Sequence, residues 1–216
     1  MTLANDDQPT LLLPSQLERA AGTLAASFDT DPLWQYLFPD GTKRRQTLQQ
    51  FFQAVIALSL ARQQAYHIGA SLEGIAVWES PGQPRNRLPL SVLWRFGQLV
   101  ASPFALAAFR VRAVFAQFER MRRAHATQPH YYLQTIGVRP DAQGQRYASR
   151  LIRPFLQQAD TRKLGAYTET VTPGNVALYE HLGFQIVETC QIPNLPLTLW
   201  GFYRSPSDRD INDTTI

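Results

Sequence analysis

Two stretches of the chain combine residue types and spacing that could do chemistry. In the first, Ile136-Gly137-Val138 runs into Arg139-Pro140-Asp141-Ala142-Gln143-Gly144, and Gln145-Arg146-Tyr147-Ala148-Ser149 opens directly into a helical pattern. A β-branched run, a Pro/Asp/Gly turn and a helix start, in that order, leave several backbone N–H groups of the first helical turn unpaired at a strand end. Such a place can hold an anionic pyrophosphate. Gly144 would allow a ligand to approach the main chain closely. In the second stretch, Thr172-Pro173 reads as an N-cap with proline at the first helical position, and Gly183 as a helix stop. Asn175 and Tyr179 lie four apart between them and so share a helical face. Each stretch has a plainer reading when taken alone: a glycine-containing βα turn, and a short amphipathic helix whose tyrosine is core.

The elements around these stretches follow from the period of the apolar residues. Thr10 to Leu13 fits a short edge strand. Pro14-Ser15 begins a helix to about Phe28, and Asp29-Thr30-Asp31-Pro32 breaks it. A second helix fits Thr42 to Ala61. Gln64–Gly69 and Gly74–Glu79 read as a hairpin. Helices are expected over Leu88–Val100 and Phe104–Ala126. Then come a strand His130–Val138, a helix Gly144–Asp160, a strand Leu164–Val171, a helix Pro173–Leu182, and strands Phe184–Ile192 and Leu197–Arg204. Pro154 falls inside the Gly144–Asp160 helix, where it removes a ladder hydrogen bond and should kink it. Helices paired with a hairpin, followed by strict alternation, predict an α/β (α+β) fold, a twisted mixed β-sheet flanked by helices on both faces. A parallel pair joined by the Gly144–Asp160 helix would make a right-handed crossover.

A length of 216 residues suits one well-packed domain, with residues 1–9 and 205–216 expected as flexible tails and 84–126 as a helical insertion. With 44% apolar and 18% charged residues the chain reads as an ordinary soluble protein. No basic segment followed by an apolar core opens the sequence, so no secretory signal is expected. The apolar region Leu88–Val111 is interrupted by Arg95, Gln98, Pro103 and Arg110, too often for a membrane span. Cys190 is the single cysteine and has no metal-ligand spacing around it, so neither a disulfide nor a metal is expected. A cytoplasmic location is the expectation. Eight arginines between Arg85 and Arg123 have Glu119 as their only acidic neighbour. They could attract an anion, a membrane surface or nucleic acid, or simply form the solvated face of two helices. No nucleic-acid-binding signature accompanies them, and no nucleic-acid partner is expected.

The first stretch resembles the acyl-CoA signature of the GCN5-related N-acetyltransferase (GNAT) superfamily, matching at Val138, Pro140, Gln143, Gly144 and Ala148. It departs at Arg146, where the family has glycine. The second resembles the family's Asn-x-x-x-Phe/Tyr-x-x-x-Gly-Phe signature, at Asn175, Tyr179, Gly183 and Phe184. The resemblance implies the acyl-CoA N-acyltransferase fold, with acetyl-CoA lying where two central parallel strands splay apart, and no metal. The backbone of Ile136, Gly137 and Val138 would pair with the pantetheine arm. The amides of Gln143, Gly144, Gln145, Arg146, Tyr147 and Ala148, with Ser149 beside them, would bind the pyrophosphate, and Asn175 would contact the pantetheine. Arg146 could obstruct the diphosphate or, pointing outward, pair with it; the outward placement is favoured.

The implied activity is direct acetyl transfer to the amine of a small acceptor. Tyr179 is the candidate proton donor to the leaving thiolate. Glu169 is the first candidate base, with Glu79 and Asp31 as others. Asp31, Trp34 and Tyr36, with Phe38, could form an acceptor site: an acid for the ammonium and an apolar wall for the rest. The arginine-bearing helices would either cover the acceptor entrance or offer an oligomer surface, so a homodimer stays open. The competing functional reading is an acyl-CoA-binding module with little or no catalysis.

Overall fold

A computed structural model describes residues 8–82 and 105–207. The elements are β1 (Thr10–Leu11), a 3-10 turn (Pro14–Gln16), α1 (Leu17–Phe28), α2 (Pro32–Leu37), α3 (Gly41–Ala61), β2 (Ala65–Ile68) and β3 (Gly74–Glu79). They continue with α4 (Ala105–His125), β4 (His130–Val138), α5 (Tyr147–Thr161), β5 (Gly165–Thr170), α6 (Val176–His181), β6 (Gln185–Gln191) and β7 (Thr198–Arg204). The expected helix over Leu88–Val100 lies outside the described residues.

The strands form one seven-stranded sheet in the order β1-β2-β3-β4-β5-β7-β6. Among the described residues only β4 and β5 run parallel; every other pairing is antiparallel. Both faces are covered. On one, α1, α2, α3 and α4 bury Leu24, Trp34, Leu48, Phe52 and Met121. On the other, α5 and α6 bury Leu151, Ile152, Phe155 and Tyr179 with Trp78 and Phe202. Central strands between two helical layers bury side chains on both faces, and β3 and β5 accordingly read as almost continuous buried runs.

α1 lies close to the sheet because its inner face carries Ala20, Ala21 and Ala25, all fully or almost fully buried. Gly137 makes that approach possible. A Cβ there would stand 2.5 Å from Ser27 Oγ and 2.9 Å from Leu24 Cδ2. The C-terminal part of the 84–126 segment, read from sequence as an insertion, packs as α4 onto the sheet, with Val114 and Met121 buried. Glu188 of β6 fastens α4 from outside, accepting from Arg120 Nη2 at 2.5 Å and lying 2.7 Å from His125 Nε2.

Three local features differ from the sequence reading. α5 begins at Tyr147 rather than Gly144, because Gly144 (φ +79°) and Arg146 (φ +63°) both take left-handed backbone ahead of it. α5 ends at Thr161, one residue beyond the expected Asp160, with Pro154 inside it as read from sequence. The tail expected from Ser205 is docked at its start, where the Ser207 amide donates to Asp160 Oδ1 at 2.7 Å.

Candidate active site

The site is created by a ladder that stops early. β4 and β5 pair only at His130↔Gly165, Tyr131↔Ala166 and Tyr132↔Tyr167. One step on, the Thr168 hydroxyl donates to the Leu133 carbonyl at 3.1 Å. Beyond that the two parallel strands diverge and leave a cleft between them. A β-bulge helps to turn β4 away: Trp78 pairs with Leu133 and Val77 with Thr135, so Gln134 is an extra residue without a partner on β3. The sequence carried no signal for this bulge, since Gln134 sits in an otherwise regular strand pattern.

One side of the divide opens to a cleft of about 530 Å³. Of the cofactor-side residues expected from sequence, Ile136, Gly137, Val138, Gln143, Gly144, Arg146, Tyr147, Ala148, Ser149 and Asn175 line it; Gln145 does not and is exposed. The N-terminus of α5 has no side-chain cap, and its first backbone bond runs from Arg150 N to Arg146 O. The amides of Tyr147, Ala148 and Ser149 therefore have no helical acceptor behind them and stand at the positive end of the helix. A Cβ on Gly144 would meet nothing within 4 Å, so the loop backbone faces open space. Gln143 ties this loop to the strand, its Nε2 donating to the Val138 carbonyl at 3.2 Å. Arg146 is exposed and lines the cleft wall. An open backbone loop, free first-turn amides and a guanidinium at the rim fit a diphosphate.

The other side opens to a smaller cavity of about 150 Å³. Asp31, Ile136, Asn175 and Tyr179 line both spaces, so the two meet there. Asn175 is held by its Nδ2 donating to Thr170 Oγ1 at 3.2 Å. Tyr179 is buried, packed against Phe184 and Phe202. Burial pushes its phenol up to about 12, against an opposing hydrogen bond from Thr168, so the group stays protonated at neutral pH.

Glu169 lines the smaller cavity alone with Asp31 as its acids, among the described residues. Its Oε1 accepts from the Tyr132 hydroxyl at 2.7 Å, and its Oε2 is buried with no hydrogen-bond partner among the described residues. Desolvation raises its pKa to about 8, opposed by the Tyr132 hydrogen bond and by the charge of Arg122. Arg122 reaches it through Tyr132, its guanidinium lying 4.7 Å from the ring centroid. Tyr132 is the partner that sequence reasoning missed: pattern alone does not say that position 132 on β4 meets position 169 on β5.

Asp31 is placed differently. It is the N-cap of α2, with Oδ1 accepting from the amides of Leu33 (3.0 Å) and Trp34 (3.4 Å). Its Oδ2 accepts from Thr172 Oγ1 at 2.7 Å. Burial still leaves its pKa raised, but both oxygens are engaged in holding α2 and the Thr172 loop. Trp34 is buried and lines the cavity. Tyr36 lies outside the lining, exposed, with its hydroxyl donating to the Asn194 carbonyl at 3.4 Å. Phe38 stacks on Trp34 behind the wall. The remaining wall comes from Phe51, Phe52 and Val55 of α3 and from Phe115 and Phe118 of α4. In the sequence, the α3 residues read only as a core face.

A mixed sheet flanked by helices, with its one parallel pair split, is the arrangement of the acyl-CoA N-acyltransferase fold. Residues 106–184 match the family model described as Acetyltransferase (GNAT) family, a span running from α4 through the second signature. An N-acetyltransferase of Schizosaccharomyces pombe is 25% identical over 177 residues, covering 77% of this chain and 70% of that protein. Among solved structures, the histone acetyltransferase HPA2 and related acetyltransferase of Corynebacterium glutamicum superposes with a TM-score of 0.62 at 16% identity. That match covers 94% of this chain and 97% of the other. Arylalkylamine N-acetyltransferase 2 of Aedes aegypti gives 0.57 at 11% identity, over 93% and 99% of the two chains. At those identities the superpositions speak for the fold. The family match spans both signatures, and over that region the chain is similar to GCN5-related N-acetyltransferases.

Proposed function

We propose that the protein transfers an acetyl group from acetyl-CoA directly to the amine of a small acceptor. The observation that carries this reading is the meeting of two spaces at Asn175 and Tyr179. One is walled by the open backbone of the Gly144 loop and the other holds the unpartnered oxygen of Glu169. The larger cleft fits the CoA moiety, with first-turn amides of α5 and Arg146 toward the diphosphate and the β4 edge toward the pantetheine arm. Acetyl-CoA supplies an activated acyl carbon.

The chain's own groups handle the protons. An ammonium has no lone pair, so the acceptor must lose a proton before its nitrogen can form the new C–N bond. Glu169 lines the smaller cavity, and its carboxylate can take it. As the C–S bond breaks, the sulfur gains the electron pair, and the Tyr179 hydroxyl can donate a proton to it. A phenol that resists ionisation suits that task. A base poised near 8 matches its acceptor more closely than an ordinary carboxylate would.

Titration calorimetry with acetyl-CoA, followed by thiol release over a panel of primary amines, tests the proposal. Tyr179→Phe should keep the dissociation constant within about two-fold while slowing transfer by roughly 10- to 100-fold. Unchanged turnover would remove Tyr179 from the chemistry. Tight binding without thiol release for any amine would favour the alternative, an acyl-CoA-binding module without efficient catalysis.

A further inference from the structure

The smaller cavity carries enough chemistry to narrow the acceptor, granted the transferase reading above. We infer that the acceptor is a monoamine bearing one aromatic or similarly compact apolar group and no carboxylate. Its nitrogen sits at Glu169 and its ring among Trp34, Phe51, Phe52 and Phe115.

Size is the first argument. The cavity measures about 150 Å³. An apolar cavity of roughly that volume accepts one benzene-sized group, which leaves no space for a peptide or a second ring.

The wall is the second argument. Trp34 and Phe51 have centroids 4.9 Å apart, and Phe51 meets Phe52 edge-on at 5.2 Å and stacks against Phe115 at 6.0 Å. Trp34 and Phe52 are almost fully buried, so this side of the cavity is formed by interlocked rings. Rings locked in this way present faces and edges to a guest ring with little rearrangement.

Charge is the third argument, and it excludes most. Among the described residues lining the cavity, the acids are Asp31 and Glu169, and no lysine, arginine or histidine is present. Both oxygens of Asp31 are taken by α2 amides and Thr172. Glu169 Oε2 is therefore the one carboxylate oxygen left to meet a cation. A diamine would bring a second ammonium into aromatic surroundings with no counter-charge. An amino acid would bring a carboxylate with no cation among the described lining residues to receive it. Burying either ion unpaired is strongly unfavourable. One nitrogen and one apolar group remain.

The test uses the whole chain with 2-phenylethylamine, 1,4-diaminobutane and phenylalanine as acceptors. Initial rates of thiol release from acetyl-CoA give kcat/KM, and calorimetry in the presence of CoA ranks acceptor binding without requiring turnover. The expected result is that 2-phenylethylamine exceeds both competitors by on the order of 100-fold in kcat/KM. It should also bind most tightly. Phe51→Ala should raise KM for the ring amine while leaving acetyl-CoA affinity unchanged. Phe115→Glu, at a rim position already 39% exposed, should narrow the gap in favour of the diamine. A diamine or amino acid that matches or beats the ring amine in rate and in binding overturns the acceptor class and leaves the transferase reading standing. If no acceptor releases thiol, the transferase reading fails, and the calorimetric ranking still decides the class of ligand.

Discussion

In the proposed reaction Glu169 takes the acceptor's proton, and its environment makes its behaviour with pH predictable. Desolvation holds its pKa at about 8, against an ordinary 4.5. Activity that needs the ionised carboxylate should therefore rise with pH up to about 8, and Glu169→Gln should lower kcat by roughly 100-fold and flatten that limb. A rate–pH profile of both proteins checks this; an acid limb that survives in the glutamine variant would assign it to another group. Stability should run the other way. The folded state keeps a proton that the unfolded chain has released, so stability is greatest below about 4.5 and falls as pH rises toward 8. At roughly 1.4 kcal/mol per unit, the loss is on the order of 5 kcal/mol. Glu169→Gln should lack that fall in melting experiments between about pH 4.5 and 8. Tyr132 tunes the same group. Its hydroxyl donates to Glu169 Oε1 at 2.7 Å and so favours the ionised form. Tyr132→Phe should move the acid limb to higher pH, while acetyl-CoA affinity, set in the other cleft, stays constant. A limb that stays put would show that this hydrogen bond does not set the base.

The loop entering α5 shows how one element can serve a ligand at a cost to its own stability. Arg146 precedes the helix at φ +63°, a left-handed conformation that glycine adopts with less strain. Arg146→Gly should raise stability by roughly 0.5–1 kcal/mol. If the exposed guanidinium meets the diphosphate, the same change weakens acetyl-CoA binding several-fold and flattens its salt dependence. Calorimetry at two ionic strengths separates these effects, and affinity equal to the parent at both would leave Arg146 no part in binding. This element was legible in the sequence because its signals are local: a strand run, a Pro/Asp/Gly turn and a helical period within sixteen residues. The hairpin at Gly74 and the Asn175–Tyr179 helix were legible for the same reason. Two other features were not. α5 starts three residues late because the left-handed turn at Arg146, two residues after that at Gly144, is not announced by an arginine. The acceptor wall could not be assembled, because Phe51 on α3 and Phe115 on α4 meet only in three dimensions. Asp31 looked like a free acid because its companion Thr172 lies 141 positions away.

At the scale of the whole molecule, the question is what holds together a sheet that has been split at its centre. Past Tyr132↔Tyr167 the parallel strands share no backbone ladder, so the two halves must be joined by other contacts. One of these is an ion pair at the far end of the crossover helix. Asp160 of α5 accepts from both Nη1 and Nη2 of Arg204 on β7 at 2.7 Å, and from the Ser207 amide at 2.7 Å. Arg204 is 5% exposed, so it depends on that carboxylate for compensation. β7 lies beyond β5 from the split, while α5 packs chiefly beneath β4, β3 and β2. The pair therefore ties the helix that starts at the cofactor cleft to the sheet's other half. Asp160→Asn leaves a buried guanidinium without its counter-charge and should cost about 3 kcal/mol, read from the denaturant midpoint. The cofactor cleft is built at the opposite end of α5, from backbone rather than from this pair. Saturating acetyl-CoA at about one hundred times its dissociation constant should therefore still add about 2.7 kcal/mol to the variant, as to the parent. An unchanged midpoint would mean that the pair contributes nothing to holding the halves together. A ligand increment that shrinks in the variant would mean that the cleft depends on the ion pair, and that the split sheet opens and closes as one body.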